Sequence, residues 1–266
     1  MQTSAPITSA PAVQYVLRLA DTCLILAQRL GEWCGHAPVL EEDIALTNMA
    51  LDLVGQSRAL LTRAGQLEGQ GRDEDQLAFL RDERDYLNLT LVELPNSLRG
   101  TRTGRGDFAF TVLRNLTVAT LLKQLWQRLL TSSDAELAAI AGKALKESRY
   151  HQQHAADWVV RLGDGTGESA RRMRDALTLM WPYVAEIFEN DAVDDAASET
   201  GLGPRWGDVQ EDWMTEVSGV LKAAGLDIPK PTAFRSTGKA GRHSEHMGFI
   251  LAELQYLQRA FPGGVW

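Results

Sequence analysis

KALKESRYHQQHAADWVVRLG, residues Lys143 to Gly163, is the stretch on which the reading of the chain turns. It has the length and apolar spacing of a bundle helix, and Gly163 supplies a stop. Extended back to Ser133 or Asp134, either of which can cap a first turn, it gives a helix over about 134–162. Glu147, His151 and His154 recur along it about one turn apart, the spacing at which a carboxylate-bridged metal centre draws ligands from one helix face. The neighbouring segments decide whether such a centre is complete.

Those segments repeat the 3.6-residue pattern and carry no period-2 run of β-branched residues, so the fold class is all-α. Upstream, a helix is expected over about Ala12–Trp33, with Val16, Leu19, Cys23, Leu26 and Leu30 on one face. The next runs from Leu40 to about Ala64; it opens with Glu41, Glu42 and Asp43 at the positive end of the helix dipole and ends at Gly65. A third is expected over Asp73–Leu94, closed by Pro95, and a fourth from Asp107, a plausible cap, to Leu130. Downstream, a helix over Glu168–Glu189 should kink at Trp181–Pro182. Asp191–Gly207 reads as an irregular acidic loop, Asp208–Ala224 as a helix, and Leu226–Thr232 as an extended, proline-bearing connector. The last helix covers Ser244–Ala260, burying Met247, Ile250, Leu251, Leu254 and Leu257. Helices of more than 20 residues are roughly 30 Å long. Joined by short polar links, they make a bundle core with peripheral helices: one domain over 12–266 behind a flexible tail over 1–11.

With 266 residues, 44% hydrophobic and 23% charged, the chain reads as an ordinary globular protein able to bury a sizeable core. No apolar run reaches the roughly 18 residues of a membrane span, and the N-terminus MQTSAPITSAP lacks the basic and apolar segments of a secretory signal; a cytoplasmic location is expected. Cys23 and Cys34 alone make neither a disulfide framework nor a zinc site. A net charge of −8 disfavours nucleic acid as the main partner. The glycine-rich loop LRGTRTGRG nevertheless concentrates Arg99, Arg102 and Arg105, either as a solvated connection or as a flexible contact for an acidic partner or a phosphate-bearing ligand. Its spacing matches no phosphate-cradling motif, and the chain has no GxSxG, no HExxH and no cysteine beside a credible base.

A di-iron carboxylate bundle needs a Glu on each of two helices and Glu-x-x-His on each of the other two. Three residues on from Glu147 stands Tyr150, and three back from His151 stands Ser148. On the Leu40–Ala64 helix the same spacing offers Asp52 followed by Gly55, or Leu53 followed by Gln56, and that helix has no histidine. Phe108–Leu130 contains neither Asp nor Glu, and Ala12–Trp33 offers only Asp21 and Glu32. The expectation is therefore that no di-iron centre forms. The pairs His151/His154 and His243/His246, with Glu245, could converge on one ion. The blander reading has His243 and Glu245 capping the last helix and the other histidines hydrogen-bonding between helices. Cys34 and His36 are an equally weak ligand pair, and most of the tryptophans should anchor the core or an interface.

Six strings, EWCGHAPVLEEDIAL (Glu32–Leu46), ALDLVGQ (Ala50–Gln56), KALKESRYH (Lys143–His151), WVVRLGDGT (Trp158–Thr166), GRHSEHMG (Gly241–Gly248) and AELQYLQRA (Ala252–Ala260), resemble the C-subunit family of the bacterial phenylacetyl-CoA ring 1,2-epoxidases. The resemblance runs from the first helix to the C-terminus. It implies a ferritin-like bundle and a non-catalytic, structural subunit that binds no cofactor itself, with Leu53, Gln56, Ser148 and His151 at the vestigial positions of the lost metal site. It further implies a homologous A subunit holding the di-iron centre and phenylacetyl-CoA, a small B subunit, and a reductase carrying flavin and an iron-sulfur cluster that draws on NADPH. The product would be the ring epoxide, in aerobic phenylacetate breakdown. The rivals are a stand-alone di-iron oxygenase or ferroxidase and a helical adaptor unrelated to oxygenases.

Overall fold

Helix α1 (Pro11–Gly31) opens on a proline, whose missing N–H is harmless in the first turn. The computed structural model of the chain describes residues 6–96 and 107–264. Arg99, Arg102 and Arg105 lie outside them. Of the expected N-terminal tail, Pro6 accepts a bond from Arg72 and Thr8 donates its N–H to Glu68, so residues 6–8 lie against the end of α2 (Leu40–Glu68). That helix runs past its expected stop at Gly65 and closes on Gly69, whose φ of +70° suits a residue without a Cβ. α4 (Phe108–Leu129) and α5 (Ala135–Gly163) begin where expected. Asp107 accepts from the Ala109 N–H at 2.9 Å, and Asp134 from the N–H groups of Glu136 and Leu137 at 3.0 Å.

α1 packs along α2 and α4 along α5; the two pairs meet where α2 faces α5. No strand is present among the described residues. α4 is buried on nearly every side because α6 (Gly167–Met180) and α9 (Gln210–Ala223) cover its outer face, and Trp213 on α9 donates to the Thr117 carbonyl at 2.9 Å. The core is continuous through all these elements and includes the fully buried Trp126, Trp206 and Trp213. Each such aromatic stabilises the fold by roughly 1.5–3 kcal/mol relative to exposure.

Four expectations are corrected. The helix expected over Asp73–Leu94 is only α3 (Glu74–Phe79), followed by 3-10 turns at Glu83–Asp85 and Thr90–Glu93. The reason lies in α1: the Asp21 carboxylate takes the Leu87 N–H at 2.9 Å and the Thr22 hydroxyl takes the Leu89 N–H at 3.3 Å, so side chains replace the bonds a helix would make. Glu168–Glu189 is not one kinked helix, since α6 ends at Met180 and Trp181–Val184 forms a 3-10 turn before the short α7 (Ala185–Phe188). The acidic loop contains α8 (Ala192–Glu199), started by a capping box between Asp191 and Asp194. α10 (Met247–Ala260) starts three residues later than expected, and His243 does not cap it.

His243 instead lies in the interior, with Nδ1 2.6 Å from Glu93 Oε1 and Nε2 2.9 Å from the Tyr86 carbonyl. Arg81 and Asp21, both fully buried, pair at 2.9 Å. Arg18 reaches Asp191 at 2.9 Å and Asp194 at 3.1 Å, fastening α8 to α1. Residues 80–96 thus form a strap held to α1 and to the C-terminal segment by buried charge.

Candidate functional site

The seam between α2 and α5 is where the sequence places the ligand positions of a metal centre. Its polar residues pair across the helices in antiparallel order: Glu42 with His154 at 2.9 Å, Asp52 with His151 at 3.0 Å, and Gln56 with Glu147 at 2.9 Å. Gln56 Oε1 also accepts from the Cys23 thiol of α1 at 3.6 Å. Lys143, one turn before Glu147, stands 3.7 Å from its carboxylate at the outer edge. The interhelical hydrogen bonding expected of His151 and His154 is what the structure contains.

The charges at this seam follow from burial. Burial pushes the His151 imidazole below its usual range, and the hydrogen bond and charge of Asp52 only partly restore it, so the ring is neutral at neutral pH. Burial, with the carboxylates of Asp21 and Glu147, pushes the Cys23 thiol up; it stays protonated and donates to Gln56.

These residues do not fit a di-iron group. Leu53, buried at the first vestigial position, offers no donor atom, and Gln56 offers a neutral amide already bonded on both sides. Ser148 is fully buried with an unpartnered hydroxyl, and His151 is held by Asp52. α1 sends Asp21 to Arg81 rather than to the seam, and Glu32 at its end is bonded by Arg29 and by Asn96. On α4 the hydroxyls of Thr117 and Thr120 are turned back onto the carbonyls of Leu113 and Leu116. Among the described residues, no three His, Cys, Asp or Glu side chains are grouped closely enough to hold a metal ion. His151/His154 and His243/His246 do not converge, since His243 belongs to the Glu93 pair and His151 to the seam. Cys34 and His36 lie in an exposed turn, where the His36 ring contacts the Cys34 carbonyl.

Beside the paired residues, Gly55, Ala59, Ala139 and Ala144 line a cleft of about 260 Å³ with Glu136, Lys143 and Glu147 at its polar edges. The cross-helix pairs have no local signature: nothing in the spacing of either helix alone links Glu42 to His154.

Two antiparallel-facing long helix pairs with a polar seam are the architecture of a ferritin-like bundle. The chain belongs to the phenylacetic acid catabolic protein family, whose family model matches residues 1–266. It is 47% identical over 252 residues to the C subunit of the 1,2-phenylacetyl-CoA epoxidase of Escherichia coli (strain K12), a match covering 95% of this chain and 98% of the relative.

Proposed function

We propose that the chain is a non-catalytic structural subunit of a phenylacetyl-CoA 1,2-epoxidase, pairing with and stabilising a di-iron A subunit in the cytoplasm. The observation that carries this reading is the occupation of the ligand positions by Leu53, Gln56 and Ser148, with the nearby acids and histidines committed to one another. A duplicated bundle can exchange its ligands for side chains that hold its own helices together, leaving its outer faces for pairing. The irons, phenylacetyl-CoA and oxygen would then be handled by the A subunit, and electrons would come from NADPH through a flavin and iron-sulfur reductase. The small B subunit would complete the assembly.

A partner that binds only the folded A subunit raises its stability by mass action, by about 4 kcal/mol when present at a thousand times its Kd. The A subunit is therefore expected to be poorly soluble and poorly active alone, and both soluble and active when co-purified with this chain. The readout is phenylacetyl-CoA-dependent NADPH oxidation with the reductase present. Equal solubility and activity without this chain would remove the structural role.

A further inference from the structure

The segment that follows the connector at 226–232 is held by buried acceptors of the strap and of α7. The fully buried Glu93 carboxylate takes the Ser244 N–H at 2.7 Å and faces the His243 ring. Glu186, 2% exposed on α7, takes the Ser236 hydroxyl at 2.6 Å and the Lys239 N–H at 3.0 Å. Gly238 and Gly241 let the segment lie close against the strap, since a Cβ at either would run into the carbonyl oxygen of Asn88 or Arg84. Farther along, Gln255 and Arg259 each donate to the Arg81 carbonyl at 2.9 Å. Apolar anchoring is sparse by comparison. α10 buries Met247, Ile250, Leu251 and Gln255, whereas Phe249 is 74% exposed, Tyr256 64% and Leu257, expected on the buried stripe, 50%. A segment with few apolar anchors opens more readily than the core beneath it.

His243 sits at the centre of these bonds. Its Nδ1 lies 2.6 Å from Glu93 Oε1 and its Nε2 2.9 Å from the Tyr86 carbonyl oxygen, and both oxygens are acceptors. A neutral imidazole has one N–H and would turn a lone pair on one of them; the imidazolium satisfies both. We propose that residues 236–260 are a proton-operated latch, closed on the strap while His243 carries two ring protons and opening as a unit when it loses one, with the long helices still folded.

The surrounding charges set the sign. Burial works against the proton on His243, but the bond and charge of Glu93, the Tyr86 carbonyl and the charge of Glu83 outweigh it and raise its pKa. From α1, Arg29 donates to the Glu93 carbonyl and Asp21 neutralises Arg81 of the strap; Arg242 and Glu245, beside His243 in the chain, are exposed. By linkage, opening is least frequent below about pH 6.5, the exposed value of histidine, increases by up to about tenfold per pH unit above it, and levels off past the closed-state value. The latch's other titratable contact behaves differently. Burial pushes Lys239 down, which favours closure as pH rises toward about 10.4, and burial raises Asp194, 3.8 Å from it, from about 3.9, well below the histidine range.

The test follows hydrogen–deuterium exchange of the full chain from about pH 5.5 to about pH 9, peptide by peptide, with intrinsic exchange rates divided out. Peptides over 236–260 should keep constant protection below about pH 6.5 and lose up to about 10-fold per pH unit above it, while those over α4 keep theirs. His243→Asn should abolish that slope and leave the segment less protected than wild type at about pH 6. If the variant does not fold, nitrogen NMR of the wild-type His243 ring decides, with two ring protons expected below the fall in protection and one above it. A ring already neutral at about pH 6, a flat wild-type profile, or a slope that survives in His243→Asn would overturn the latch. So would an equal loss of protection over α4, which would make the opening global.

Discussion

The α2–α5 seam and the strap at residues 80–96 both carry polar groups into the molecule, and they do so in opposite ways. At the seam the pairs are only partly closed: the Asp52 side chain is 38% exposed and that of Glu147 18%, while those of Glu42 and His154 are 10% and 12% exposed. At the strap the charges are sealed; the side chains of Arg81, Asp21, His243 and Glu93 are all fully buried, and each makes several bonds. The seam joins two helices whose backbones are already satisfied, so its side chains are free to vary. The strap has only two 3-10 turns and no α-helix of its own, so side chains from α1 and the C-terminal segment help satisfy its backbone. The electrostatics on which this fold depends therefore lie away from the place where an oxygenase centre would sit.

The largest effect should come from the strap. Arg81→Met leaves Asp21 buried with only the Leu87 N–H as a donor, and urea unfolding should show a loss of about 3–5 kcal/mol, or no folded protein. His243→Ala removes the partner of a carboxylate that also holds Asn88 and the Ser244 N–H; about 2–3 kcal/mol is expected. A loss under about 0.5 kcal/mol for either would erase the contrast.

Acidity separates the two regions by sign. Burial pushes His243 down, but the hydrogen bond and charge of Glu93 and the Tyr86 carbonyl outweigh it, and its pKa is raised. Its contribution is fully present below about pH 6.5, the unfolded value, and is lost as pH rises through the raised folded value. His151 is depressed, so its contribution is present above about pH 6.5 and lost as pH falls toward the folded value. In urea unfolding measured across pH, His243→Asn should flatten the alkaline side and His151→Asn the acid side, each by about 1.4 kcal/mol per pKa unit removed. Identical pH profiles for wild type and both variants would contradict the assignment. The smallest effect belongs to the seam: Gln56→Leu gives up the bonds to Glu147 and Cys23 but keeps volume and adds apolar surface, so stability should change by no more than about 1 kcal/mol.

The long helices are legible in the sequence because their signals are local. Asp107 and Asp134 announce caps within three residues of the N–H groups they serve, and 3.6-residue periodicity survives any tertiary context. The strap is hard to read for the converse reason. Leu87, Leu89 and Leu91 alternate at period two, a pattern against a helix, but their acidic and polar neighbours at Asp82–Asp85 look like an exposed helix surface. α8 is hidden because Asp191 and Asp194 read as solvated charge, whereas Asp194 is fully buried against Arg18. At the seam, the departures from the ligand pattern at Leu53, Gln56 and Ser148 can be counted directly. What replaces the ligands cannot, since Asp52 meets His151 only through the register of two helices far apart in sequence.

Iron content tests the central claim most directly. Anaerobic loading of the purified chain with ferrous iron, followed by desalting and elemental analysis, should leave fewer than about 0.2 irons per chain, a tenth of what a di-iron bundle holds. About two irons per chain, retained with Leu53, Gln56 and Ser148 unchanged, would place the oxygen chemistry in this polypeptide and contradict the account.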